Sequence, residues 1–309
     1  MIITLSLNPC IDRILRIQKF NYGGMNRVVE SQDDACGKAV NLALVAAELG
    51  AKVKCVGLLP DEDGTAVSKR LHHAGVQTDF LGVPGRLRVN IKLLDDEQRI
   101  TTEINERGAP VGGDVPELLT ARILSALNPG DWLILSGSMP NGFSPDYYAE
   151  LIKRLRGICN CALDAEGEAL KLGIIEGPAL IKPNKAELEI LLGRKVEGMD
   201  DAISAATAIR RDHHVGRVVV SMGELGAVMI DEAGALIAPA VKVKVNSTVG
   251  AGDSMLAALC CGLSVGKSSE GAFRMGMAAA AACVASEGLQ LAEHARYESM
   301  LVKTSIRRL

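Results

Sequence analysis

From Lys52 onward, short apolar or β-branched runs take turns with longer segments of helical periodicity. KVKCVGLL, DWLILSG, CNCALDAE, ALIKPN and RVVVSMG each run into Gly, Asp, Pro or Asn; PDYYAELIKRLRG and DAISAATAIRRDHH lie between such runs. Strands that are apolar on both sides must be covered on both sides, so this alternation predicts a mostly parallel sheet between two helical layers. Ligands of such a sheet bind at the carboxyl ends of its strands, which is where the punctuation residues fall.

Two regions depart from the alternation. RLRVNIKLLDDEQRITTEI alternates polar and apolar residues on either side of Asp95-Asp96, a hairpin pattern, and IDRILRIQKFNYGGMNRVVES shows no helical period and contains a Gly23-Gly24 turn. Alternation marks strands with one wet face. We therefore expect one domain spanning residues 1–309 with a small β-rich lid made by insertions at about 11–35 and 86–105, bearing Arg27, Arg88, Asn90 and Lys92.

Charge excludes some function classes. With 34 basic and 37 acidic residues the chain has no electrostatic footprint for nucleic acid or an anionic membrane, and 3% aromatic residues supply no platform for stacking bases. The start, MIITLSLNPCIDR, lacks a basic leader and is broken at Asn8-Pro9, so it reads as a first strand. The small-apolar run from Met275 to Ala285 is too short for a bilayer core of about 30 Å. A cytoplasmic protein is expected. The eight cysteines include no Cys-x-x-Cys, and His72-His73 and His213-His214 lack zinc-ligand spacing. Buried thiols are expected, without disulfides or transition metals.

Three clusters could carry chemistry. In STVGAGDSMLAALCCGL, the stripe Met255, Leu256, Leu259, Leu263 predicts a helix starting near Ala251, with Asp253 in its first turn. Its unpaired amides and permissive glycines would form an anion cradle, although an acid at a helix start is also a common structural device. In DDACGKAVNLALVAAELGA, Gly37-Lys38 opens a helix that ends at Gly50, with Asn41 one turn in; an Ala-rich packing helix would look the same. In ALIKPNKAELEIL, Asn184 and Glu187 follow a strand end, where they could form a capping box or hold hydrated magnesium and phosphate. GLSVGKSS is one residue short of a P-loop, and a dinucleotide fingerprint would need glycine at Met255.

Together and in this order, CGKAVNLA, KPNKAEL and STVGAGDS resemble the signatures of the ribokinase-like carbohydrate kinases, the phosphofructokinase B family, over essentially the whole chain. LSLNPCIDR and SGSMPNG are similar to the branch acting on phosphorylated ketohexoses. The resemblance implies a ribokinase-like three-layer α/β/α fold and an ATP-dependent kinase using Mg2+, with a monovalent cation such as K+ as a further cofactor. Two positions differ from the family pattern. Ala39 stands where glycine is common, which implies a sugar held further from the backbone, and Ser247 stands where ribokinases proper have aspartate.

The resemblance assigns roles by position. Asp253 would be the base, with the amides of Gly250, Ala251 and Gly252 stabilising the transferred phosphoryl group. Asp12, Gly37, Lys38, Asn41 and Ser138 would surround the sugar, and Arg88 with Arg27 would hold its phosphate. Lys182, Asn184, Ser221, Gly223, Glu224 and Gly226 would line the nucleotide, and Glu187, Asn184 and Asp164 would organise magnesium. The helix GMAAAAACVASEG would pack beside adenine. TTEINERG is similar to a segment of enzymes that phosphorylate fructose 1-phosphate, so that sugar is expected first, then tagatose 6-phosphate and fructose 6-phosphate. A non-catalytic sensor and a nucleoside kinase are the rival classes. Loss of Asp253 or of the Asn-x-x-Glu pair would favour the sensor, and aromatic residues on the lid would favour the nucleoside kinase. Exposed lid strands also suggest a homodimer through the lid.

Overall fold

A computed structural model describes residues 1–286 and 294–309. The chain opens with β1 (Ile2–Ser6), detours through β2 (Cys10–Ile17) and β3 (Glu30–Cys36), and enters α1 (Lys38–Glu48). β4 (Val53–Pro60), α2 (Thr65–His73) and β5 (Gln77–Val83) follow, then the hairpin β6 (Arg88–Asp95) and β7 (Ile100–Asn105). The chain continues with α3 (Val115–Ala126), β8 (Trp132–Ser136), α4 (Tyr147–Leu155), β9 (Asn160–Asp164), α5 (Gly167–Ile175), β10 (Leu180–Ile181), α6 (Lys185–Leu192), α7 (Gly198–His213) and β11 (Val218–Ser221). It closes with β12 (Ala227–Asp231), β13 (Gly234–Ala238), α8 (Ala251–Ser264), α9 (Ser269–Val284), α10 (His294–Lys303) and β14 (Arg307–Arg308).

Among the described residues, ten strands form one sheet in the order β14-β13-β12-β11-β10-β9-β8-β1-β4-β5. The seven from β11 to β5 are parallel; β12, β13 and β14 add an antiparallel edge. Period-two side-chain alternation divides the core. Ile3, Leu5, Leu133, Leu135, Val218 and Val220 pack on one face with Leu119 of α3, Tyr148 of α4 and Ala206 of α7. Ile2, Trp132, Ile134 and Val219 pack on the other with Val40 of α1, Leu71 of α2, Leu256 of α8 and Phe273 of α9. Two dry cores on one sheet give the expected three layers. Each fully buried aliphatic or aromatic side chain contributes roughly 1.5–3 kcal/mol. No helix among the described residues is long and apolar enough to cross a membrane.

The lid is a separate four-stranded sheet, β3-β2-β6-β7. Its centre is the parallel pair β2–β6, and β3 and β7 flank it antiparallel. Two local expectations need correction. The hairpin turn runs over residues 96–99, not only Asp95-Asp96, and Arg99 takes φ 55° to close it. ALIKPN supplies a strand of only two residues, after which Asn184 makes a single bridge to Ser221. The eight cysteines are free thiols, as expected.

Candidate active site

A cavity of about 1070 Å³ opens at the carboxyl ends of the parallel strands, between the lid and the starts of α1, α6 and α8. Strand ends place Asp164 and Ser221 on its wall directly, and Lys182 follows β10 by one residue.

The tip of α8 forms the middle of the wall. Gly250 at its N-cap has φ 81°, a left-handed conformation costly for other residues, and no side chain caps the helix. The Ala251 amide makes a long bond of 3.4 Å to the Thr248 carbonyl. The amides of Gly250 and Gly252 have no partner among the described residues. All three residues and Asp253 line the cavity. Asp253 is 7% exposed, and its Oδ2 accepts a 3.0 Å hydrogen bond from Asn41 Nδ2. Burial pushes its carboxyl up to about 6, and the nearby charge of Asp164 adds to that; Asn41, Lys38 and Lys182 pull the other way. A base half-ionised near pH 6 is suited to taking a proton at neutral pH.

Asp164 lies below with the opposite bias. Lys182 Nζ contacts its Oδ1 at 3.1 Å, and Lys38 Nζ contacts Oδ2 at 3.4 Å. Ser136 Oγ donates to Oδ2 at 3.0 Å. Burial alone would raise this carboxyl, but the two ammonium groups and the hydroxyl outweigh it and hold it at about 2. Asp164 in turn pushes Lys38 above the usual lysine range.

The lid closes the polar end. Gly37 caps α1 at φ 138°, where a Cβ would lie 3.3 Å from Pro9 Cα, so the chain enters the helix against the start of β2. Asp12 is buried, and its Oδ2 accepts from Lys92 Nζ at 2.5 Å while its Oδ1 accepts from Asn90 Nδ2 at 2.9 Å. Burial works to raise Asp12, but Lys92 and Asn90 leave it below the usual carboxylate range. Lys92 therefore spends its charge on Asp12. Arg88 Nη1 donates to Asn90 Oδ1 at 3.0 Å, its Nε donates to the Asn8 carbonyl, and its side chain reaches the cavity.

At the other end, Asn184 and Glu187 form a complete capping box: Asn184 Oδ1 accepts from the Glu187 amide and Glu187 Oε2 accepts from the Asn184 amide, each at 2.9 Å. Both also line the cavity, and Glu187 Oε1 has no hydrogen-bond partner among the described residues. The capping box therefore does not remove the pair from the cavity wall. The oxygen donors of Glu187 and Asn184 are of the hard kind that magnesium takes, whereas both oxygens of Asp164 are already engaged by Lys182, Lys38 and Ser136. Ser221, Gly223, Glu224 and Gly226 line the same end, where Val241, Val243, Val245 and, from α9, Ala280, Ala281 and Val284 supply an apolar wall. Glu287 and Gly288 of the alanine-rich segment lie outside the described residues.

Nearly all the predicted positions share this one cavity; Arg27 and Ser138 do not. Arg27 is exposed on the connection between β2 and β3, away from the wall. Ser138 is exposed, and its Oγ accepts from Asn8 Nδ2 at 3.3 Å outside the cavity lining. Ala39 is buried in α1 and does not reach the cavity, so it does not push a ligand from the backbone. Sequence reasoning missed the Asn41–Asp253 bond, the double lysine clamp on Asp164, and the contact between Cys10 and Cys36. Their partners stand far apart along the chain, and no local pattern marks them.

Residues 5–296 match the pattern of the pfkB family carbohydrate kinases. The chain is 34% identical over 304 residues to a 1-phosphofructokinase of Escherichia coli K12, covering 98% of this chain and 97% of that one. It is 37% identical over 260 residues to a 1-phosphofructokinase of Rhodobacter capsulatus, covering 84% and 82%. Among solved structures, phosphofructokinase-2 from Escherichia coli in complex with substrates and products superposes with a TM-score of 0.92 at 28% identity, covering 97% of this chain and 98% of that one. The same enzyme in complex with potassium gives 0.91 at 28% identity, with the same coverage.

Proposed function

The chain belongs to the pfkB family of carbohydrate kinases and is an ATP-dependent sugar-phosphate kinase, and on that premise we propose that it phosphorylates the free primary hydroxyl of a ketohexose phosphate. Fructose 1-phosphate is the first choice of substrate, giving fructose 1,6-bisphosphate; tagatose 6-phosphate and fructose 6-phosphate are the alternatives. The observation that carries this reading is a buried carboxylate, Asp253, raised to about 6 beside the uncapped tip of α8, in the same cavity as the lid arginine Arg88.

The steps follow from the side chains. Asp253 accepts the hydroxyl proton as the oxygen attacks, and Asn41 holds the carboxylate in place. The amides of Gly250 and Gly252, with Ala251 between them, stabilise the charge that develops on the transferred group. Lys182 and Lys38, fixed by Asp164, add positive charge at the same point. Glu187 and Asn184 would hold magnesium, which supplies charge neutralisation on the phosphates. Asp12 accepts from sugar hydroxyls beside Lys38 and Gly37, and Arg88 takes the substrate's own phosphate. Arg27 joins Arg88 only if the lid moves or a second chain brings it in; the apolar lid residues Tyr22, Met25, Val29 and Ile104, exposed in the single chain, suit a homodimer. A potassium requirement is part of the same proposal.

The test is ADP release measured with the three sugar phosphates at fixed magnesium, with and without potassium. Fructose 1-phosphate should give the highest kcat/KM. Absence of turnover with any of the three would overturn the proposed substrate class.

A further inference from the structure

We propose that Cys10, Cys36 and Asp12 form a binding site for a soft divalent cation, zinc or cadmium, and that its occupancy competes with the phosphosugar. The competition clause rests on the reading of Asp12 as a sugar ligand; the metal site itself does not.

The three residues are buried at 2%, 5% and 8% exposure, yet all three line the cavity. Register brings the thiols together, because Cys10 and Cys36 are directly opposed on the antiparallel pair β2–β3. Their sulfurs are 3.4 Å apart, Cys10 Sγ is 3.4 Å from Asp12 Oδ1, and the three ligand atoms lie within 4.8 Å of one another. A tetrahedral zinc ion with Zn–S of about 2.3 Å and Zn–O of about 2.1 Å needs its ligands about 3.6–3.8 Å apart. Cys10 thus needs to move from Cys36 and from Asp12 by only a few tenths of an ångström, and the remaining pair, Cys36 and Asp12, lies within 4.8 Å.

The surroundings also suit a cation. Lys92 engages Asp12 Oδ2, so Oδ1, the oxygen beside Cys10, can turn to a metal without breaking that bond. Two thiolates and one carboxylate carry three negative charges, and one divalent ion with the Lys92 ammonium carries three positive ones. Asn90 Nδ2 lies 3.3 Å from Cys10 Sγ and 2.9 Å from Asp12 Oδ1, orienting both ligands. Binding exchanges two thiol protons for one ion, and three protein ligands leave a fourth position toward the cavity. An ion there would occupy the carboxylate assigned to the sugar hydroxyls.

Cobalt(II) titrated into metal-free, phosphine-reduced protein tests this. One equivalent per chain should produce tetrahedral d–d bands and a thiolate-to-cobalt charge-transfer band, both abolished by zinc. C10S and C36S should each weaken binding by more than the roughly 10–100-fold that loss of an outer-shell partner causes, while C159S should leave it unchanged. Zinc should also shield Cys10 and Cys36 of the unmodified protein from alkylation, which keeps the test valid if a variant fails to fold. A cobalt spectrum without charge transfer, one that survives in both C10S and C36S, or unshielded thiols would overturn the site. Fructose 1-phosphate should displace the ion; binding that is intact but indifferent to the sugar would preserve the metal site and refute the role of Asp12 in the acceptor pocket.

Discussion

Two aspartates on the wall of one cavity, Asp164 at the end of β9 and Asp253 in the first turn of α8, start from the same chemistry and are driven in opposite directions. Both are less than a tenth exposed, and burial acts on each to favour the protonated acid. Asp164 has two ammonium groups and a hydroxyl in contact with it and is held at about 2. Asp253 has one neutral amide donor and a negative neighbour and stands at about 6. The difference suits the two to separate tasks under the proposed function: a carboxylate clamped by lysines to anchor charge, and the weakly compensated one to exchange a proton.

The helix starts repeat the contrast. α6 is closed by a reciprocal capping box, whereas α8 begins at a left-handed glycine with no side-chain cap. The bare end leaves amides facing the cavity, at the expense of the ~1 kcal/mol that a good cap contributes.

The comparison can be broken first at Asp253. D253N should lower kcat by about 10²–10⁴-fold, measured with saturating substrates. It should also raise the melting temperature at pH 8. A carboxyl whose folded pKa exceeds its ordinary value of 3.8 destabilises the fold where it is ionised, and that penalty disappears as pH falls from above 6 toward 4. A shift of this size corresponds to at most about 3 kcal/mol. A variant that folds and keeps full turnover would remove Asp253 from the chemistry.

The next largest effect should come from Arg88, which contacts neither aspartate. Loss of a charge-assisted bond worth about 1.5–3 kcal/mol predicts that R88A raises KM for the phosphosugar roughly 10–150-fold. KM for ATP should stay within a factor of about two. Equal changes in both would mean that Arg88 shapes the cavity as a whole.

D164N sharpens the contrast by removing the lysine anchor. It should lower stability at pH 7 by about 3–5 kcal/mol in denaturant titration, because two lysines lose a buried partner. The native Asp164 contribution is present above the ordinary carboxylate pKa and is lost as pH falls through about 2. With that negative neighbour gone and both lysines acting on Asp253, the acid limb of kcat should move to lower pH. N41A should have the smallest effect: losing a donor raises the Asp253 pKa, moves the same limb to higher pH, and reduces kcat at pH 7 a few-fold.

Much of this was legible in the residues. Short apolar runs ending in Asp164, Lys182-Pro183-Asn184 and Ser221 marked both the sheet and the strand ends that line the cavity. Gly250 and Asp253 before an apolar stripe marked the α8 tip, and Asn184 with Glu187 spelled their own cap three residues apart. What stayed hidden is what the fold brings together from a distance. Asn41 meets Asp253 across 212 positions, Lys38 meets Asp164 across 126, and Cys10 meets Cys36 only through strand register. Lys92 meets Asp12 only because β2 and β6 pair. Arg27 and Ser138 were placed by their motifs alone, and neither motif encodes which way its loop turns.

The central claim is that one fold sets these two identical side chains about four pKa units apart. Carbon-13 NMR titration of aspartate carboxyl groups in substrate-free protein measures this directly, with D253N and D164N providing the assignments. One carboxyl should titrate near pH 6 and vanish in D253N, while another should stay ionised down to about pH 2 and vanish in D164N. Both titrating together near pH 4 would contradict the account.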